Sequence, residues 1–241
     1  MEQKTNMSSG IKIPASIIIA GSIVAAAVVW GGRAGPVDRS PVAGSAAKVT
    51  QVVDSEKVDA SGDPFIGRAD APVTMAYWYD YQCPFCQRHE IETMPVIVKK
   101  YVDTGKLKIL FKDFQFLGLD SQTLAEYSRA VWELVPQKFY QWHQAIYENQ
   151  GAENTGWATE ARIGELTAAI LGETDTRRVT ALVKEKGMEY RREMDADKAE
   201  GGALGISGTP AAIIGKAVIS GAQPLSAFEG AIEQALSASR L

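Results

Sequence analysis

The 241-residue chain holds two cysteines, three apart, as Cys83-Pro84-Phe85-Cys86. Random placement gives that spacing in roughly 1% of cases, so the pair reads as one unit. With no third cysteine there is no disulfide framework and no four-cysteine zinc site. The fold must therefore be held by its core, and this length is ample for one.

The flanking pattern places the pair at a strand-to-helix junction. Val73–Tyr79 is β-branched and aromatic behind Ala71-Pro72, which predicts a buried strand. Pro84 falls at the first helical position, where proline is favoured. The helix is expected to run to about Val102, with Gly105 beyond its end and a kink at Pro95. Lys106–Phe114 alternates polar and apolar residues and predicts a second strand, completing a right-handed βαβ unit with parallel strands.

From about residue 119 to 203 the pattern turns all-helical. Helices are expected over 121–134, 137–149, 159–171, 175–186 and 188–200, separated by Pro136, Gly151, Gly172 and Gly187. Two short apolar runs, 211–214 and 217–219, meet at Gly215-Lys216 as a hairpin. A helix over about 225–237 closes the chain. The fold class is α/β: a mixed central sheet interrupted by a helical insertion.

Thiol–disulfide exchange needs a thiolate, a nearby second thiol and access. Cys83 at a helix start gains from unpaired N–H groups and the helix dipole, and cysteines so placed titrate at about 3.5–7.5 rather than about 8.5. Cys86 lies on the same helical face, close enough to close a small ring. Pro84 fixes the turn and Phe85 makes the surroundings apolar. Two other readings of the pair are an inert buried couple and a metal set of Cys83, Cys86 and His89. By itself His89 reads as a solvated helix residue, and His143, in Tyr140-Gln-Trp-His143, as packing or surface.

Ahead of the domain, Lys12 and Arg33 bracket 20 uncharged residues. As a helix these span about 30 Å, the thickness of a bilayer's hydrocarbon core. Residues 1–12 form a basic N-terminal segment, 13–30 a signal anchor ending on Trp30, and 31–62 a Gly/Pro/Ser/Ala-rich tether before a domain over 63–241. Ala25-Ala26-Ala27 offers a cleavage site, but the run exceeds the 7–15 residues typical of a signal peptide. Retention N-inside gives a single-pass membrane protein with its domain outside the cytoplasm; cleavage gives a secreted one. Net charge is −4, split as +2 over residues 1–46 and −6 over the rest, which leaves no basic footprint for nucleic acid. The hydrophobic share of 46% excludes a disordered chain.

Gly208-Thr209-Pro210 directly precedes the late strand. Four stretches together resemble the DsbA-like family of the thioredoxin superfamily: Gly67-Arg-Ala-Asp-Ala-Pro-Val-Thr74, Asp80-Tyr-Gln-Cys-Pro-Phe-Cys86, Lys112-Asp113-Phe114 and Gly205-Ile-Ser-Gly-Thr-Pro-Ala211. The resemblance covers about residues 63–238. It implies a thioredoxin fold, with Cys83 as the nucleophile forming a mixed disulfide and Cys86 as the resolving partner. Pro210 would be a cis-proline holding the Thr209 backbone beside the pair, where an extended substrate can add as a strand. The implied activity is protein-disulfide oxidoreductase, in the disulfide-introducing direction, on cysteines of exported proteins. A membrane redox partner would reset the pair, and no cofactor or metal is called for. A reductase or isomerase of this fold, and a non-catalytic chaperone or metal carrier, are the alternatives. One departure stands out: Tyr77 occupies the position, six before the first cysteine, where the family often carries a buried acid. Asp80 is near in sequence but points differently on the strand, so the proton route stays open.

Overall fold

In the computed structural model, which describes residues 53–239, the core is built around one strand covered on both faces. A two-residue strand β1 (Phe65–Ile66) is followed by β2 (Val73–Tyr79). Met75, Tyr77 and Tyr79 of β2 pack on one face, and Ala76 and Trp78 on the other. Two covered faces explain why this strand reads as a continuous apolar run rather than an alternation.

The helical rod after Cys83 spans 84–102 but is not one regular α-helix. It comprises α1 (Pro84–Arg88), a π-helical stretch (His89–Thr93), α2 (Met94–Ile97) and a second π-helical stretch (Val98–Val102). At Pro95, where a kink is expected, the first of these π-helical stretches has just ended. Pro95 has no N–H to donate back, and it enters where a new α-segment begins.

Strand β3 (Leu107–Asp113) pairs parallel with β2, from Val73 opposite Leu107 to Tyr79 opposite Asp113. Helices α3 (Leu119–Leu134), α4 (Phe139–Glu148), α5 (Glu160–Leu171) and α6 (Glu173–Ala203) form the insertion. Then come β4 (Ala211–Ile214), β5 (Ala217–Ser220) and α7 (Leu225–Ala238). The sheet order is β1-β3-β2-β4-β5, with every pairing antiparallel except β2 with β3. This is the mixed α/β sheet with a helical insertion that the sequence predicts.

Three expectations need correction. Gly187 does not separate a pair of helices, because α6 runs unbroken through it. A side chain there would come 3.2 Å from a Glu126 carboxylate oxygen, so the missing Cβ lets α6 approach α3. The ordered domain also begins before Asp63. Val53 and Val58 are buried against the second sheet face, and Ser55 exchanges hydrogen bonds with Gly215 of 2.8 and 3.0 Å. Finally, β1 was not anticipated, since two residues are too few to show a pattern. The anchor expected over 13–30 lies outside the described residues. Among the described residues no helix is long and apolar enough to cross a membrane.

A buried ion network ties the insertion to the sheet. Lys112 of β3 meets Asp63, Asp197 and Glu200. Arg129 of α3 meets Asp113 at 2.7 Å, Asp197 at 2.6 Å, Glu193 at 2.8 Å and Asp63 at 3.1 Å. Five carboxylates thus face two cations, and burial, with Asp113 and Asp63 nearby, raises the Asp197 pKa above the ordinary carboxylate range despite Arg129 and Lys112.

Candidate active site

The end of β2, the start of α1 and the turn before β4 meet at one rim of the sheet. Asp80 shapes the approach to the cysteines. Its buried carboxylate accepts the N–H groups of Gln82 and Phe116, both at 2.8 Å, that of Leu117 at 3.1 Å, and the Ser121 hydroxyl. Asp80 thereby pins the loop after β3 to the segment leading into Cys83. From α4 and the following turn, Tyr147 donates to the Asp80 carbonyl and Gln150 to the carbonyls of Tyr81 and Cys83. These backbone groups would otherwise be unpaired at a strand end.

Cys83 is the N-cap of α1 and Pro84 its first residue. The two thiols are free. Cys83 is 4% exposed, Cys86 fully buried, and Phe85 between them 56% exposed. Thr209–Pro210 is a cis peptide, and the Thr209 carbonyl accepts from the Cys83 thiol at 3.4 Å. The structure therefore brings Cys83, Pro84, Phe85, Cys86, Thr209 and Pro210 to one place.

The two thiols are driven apart electrostatically. Cys83 is lowered to about 6, chiefly because the Cys86 thiol hydrogen-bonds to it, with help from Thr209 and the backbone N–H groups of Cys86 and Phe85 against the opposing effect of burial. Burial, and then the neighbouring Cys83, push Cys86 well above the usual thiol range. The Thr209 hydroxyl is buried with no other partner, so it is available to a thiolate. One stabilised sulfur anion beside one protonated, buried thiol is the arrangement that exchange requires.

Two histidines and one glutamate depart from sequence expectation. His89 is not solvated: it is wholly buried, its ring 4.6 Å from Phe228 and 5.3 Å from Tyr77. The π-helical stretch turns both His89 and Glu90 inward. His143 is buried as well, within hydrogen-bond reach of Tyr81 at 2.8 Å. Among the described residues, no three His, Cys, Asp or Glu side chains are arranged to hold a metal. Sequence reasoning missed the burial of Glu90 and the contacts of Gln150, and named Asp80 without its part in holding the loop after β3.

The thioredoxin family model matches residues 59–234. The disulfide bond formation protein D of Bacillus subtilis is 34% identical over 105 residues, 44% of this chain and 47% of that protein. The probable disulfide bond formation protein D of Bacillus cereus is 26% identical over 149 residues, 62% of this chain and 68% of that one. Among solved structures, oxidised BdbD from Bacillus subtilis superposes with a TM-score of 0.67 at 27% identity, covering 74% of this chain and 95% of that one. DsbA of Chlamydia trachomatis shares the fold at a TM-score of 0.62 and 20% identity, covering 73% and 93%.

Proposed function

The chain belongs to the thioredoxin family, in its DsbA-like branch, and from that premise we propose that its Cys83–Cys86 pair introduces disulfides into exported proteins. The observation that carries this reading is the divided pair: a Cys83 lowered to about 6 at a helix start, against a fully buried Cys86. A substrate thiolate attacks Cys83 Sγ of the disulfide form. The Cys83–Cys86 bond breaks and its electron pair leaves on Cys86. A second substrate thiolate then attacks the substrate sulfur of the mixed disulfide and expels Cys83 as a stabilised thiolate. The substrate loses two electrons, the pair gains them, and a membrane redox partner removes them.

Thr209 and Pro210 position the substrate in this reading. The backbone beside the cis bond offers an edge to an extended segment, and Pro84 and Phe85 form the exposed lip over which it lies. The protein is held to the membrane by the segment over 13–30, with its domain outside the cytoplasm. Support for this placement is the uncharged run in the sequence and the disulfide-formation role in the relatives' names.

The test uses the oxidised full-length chain and a reduced peptide with two cysteines. The wild type should convert the peptide to its disulfide, and Cys83→Ser should not. Oxidation by Cys83→Ser at the wild-type rate would overturn the proposal.

A further inference from the structure

Consecutive side chains of α1 reach to opposite flanks of the exchange site. Gln87 Nε2 donates to the Tyr147 carbonyl near the end of α4, at 2.9 Å. Arg88 donates instead to the Ala222 carbonyl, at 3.2 Å, on the segment that follows β5. That segment abuts the cis bond, because the Gly221 N–H donates to the Pro210 carbonyl at 2.8 Å. The exposed Arg88 guanidinium also lies 5.4 Å from the centre of the exposed Phe85 ring. Arg88 therefore borders the cysteines on the side of Thr209 and Pro210.

The other flank is acidic. The turn after α4 is pinned beside the nucleophile: the Asn154 N–H donates to Gln82 Oε1 at 2.8 Å, and Gln150 donates to the Cys83 carbonyl at 3.3 Å. Asn154 holds a φ of 57°, left-handed backbone that asparagine tolerates better than most residues. Its side-chain amide donates to Glu153 at 3.1 Å. The end of α4 and this turn expose Glu148 and Glu153. The sheet order keeps the two flanks apart. Gln82 also donates to the Leu117 carbonyl in the loop after β3, whereas Thr209 leads into β4, and β2 with Cys83 at its end runs between those strands. Among the described residues, Arg88, Glu148 and Glu153 form no ion pair.

We infer that the exchange site is electrically polar across its width, with Arg88 on one rim and Glu148 and Glu153 on the other. It selects protein segments whose cysteine has an acidic residue on one side and a basic residue on the other. This deepens the exchange chemistry proposed above and rests on it. A segment lying across Cys83 meets Arg88 with one arm and the turn after α4 with the other. One order of charges then gains two attractions, and the reverse order meets two repulsions. Exposed charges of this kind set encounter rate and register more than final affinity, so the selection is read in rates.

The test uses the reduced full-length chain and peptides with one central cysteine, carried as a mixed disulfide with a chromogenic aryl thiol. One peptide has aspartates before the cysteine and lysines after it, a second has the reverse order, and a third is uncharged. The Cys83 thiolate attacks the peptide sulfur, the Cys83–peptide bond forms, and the aryl thiolate leaves with the electron pair of the broken bond. In stopped flow at low salt the two charged peptides should differ in rate about fivefold, with the uncharged one between them. The difference should vanish at about 1 M salt, where the screening length is about 3 Å. Combining Arg88→Glu, Glu148→Lys and Glu153→Lys should make the slower order the faster. Equal rates for the two orders, a difference that survives high salt, or a triple variant that keeps the wild-type preference would overturn the inference. The salt series uses the wild type alone, so it decides the matter even where the triple variant fails to fold. Release from none of the three peptides would instead overturn the exchange reading.

Discussion

At the residue scale, the chemistry turns on what each thiol touches. The Cys86 thiol is the largest influence lowering Cys83, ahead of Thr209 and the helix N–H groups. Alkylation of Cys83 in the reduced chain should therefore show a midpoint near pH 6, and in Cys86→Ala that midpoint should move up. An unmoved midpoint would assign the effect to the backbone instead. The sign for stability follows. Cys83 titrates lower in the folded chain than the ordinary thiol value of about 8.5, so it stabilises the reduced fold above that value. This contribution is lost as pH falls through about 6. Cys83, Pro84 and Cys86 were legible in the sequence because a strand end, a proline and a helix start are local features. His89 and Glu90 were not. Their burial depends on a π-helical stretch and on α4 lying across it, and no residue between Cys86 and Thr93 announces either.

At the scale of elements, glycines inside α6 record close packing rather than breaks. Gly201 lies under Trp78 of β2, whose indole N–H donates to the Asp197 carbonyl at 3.1 Å. A Cβ on Gly201 would come 2.7 Å from that nitrogen. Gly201→Ala should then destabilise the chain by about 1–3 kcal/mol in urea unfolding, the usual cost of overpacking, although alanine is the better helix former by about 1 kcal/mol. A gain in stability would show that Trp78 can yield. The sequence placed β2, β3, β4 and the last helix to within a residue or so at each end, because their apolar runs are bounded by Pro or Gly. It split α6 at Gly187, which lies inside the unbroken helix, where an added Cβ would meet Glu126 of α3.

At the scale of the whole molecule, the insertion is joined to the sheet through the Lys112 and Arg129 network, which carries more carboxylates than cations. Burial and its acidic neighbours push Asp197 up to about 7, above the unfolded value of about 3.9. Between those values the native chain binds the proton and the unfolded chain does not, so this group's stabilisation is present at low pH and lost as pH rises toward 7. Asp197→Asn should remove that share of the decline, seen as a flatter curve of unfolding free energy against pH. Parallel curves would contradict it. No sequence pattern signalled this network, since its members are drawn from the domain's first residues, β3, α3 and α6. The α/β class and the insertion were legible because they follow from the order of elements alone. Above all, a stabilised Cys83 thiolate should make the pair oxidising. The most direct test is the reduction potential of the full-length chain, from equilibration in graded glutathione buffers and mass counting of alkylated thiols. Stabilising the reduced form predicts a midpoint toward about −120 mV, the strongly oxidising end of the known range. A midpoint near about −270 mV, where thioredoxin lies, or failure of Cys83 and Cys86 to form a disulfide, would contradict it.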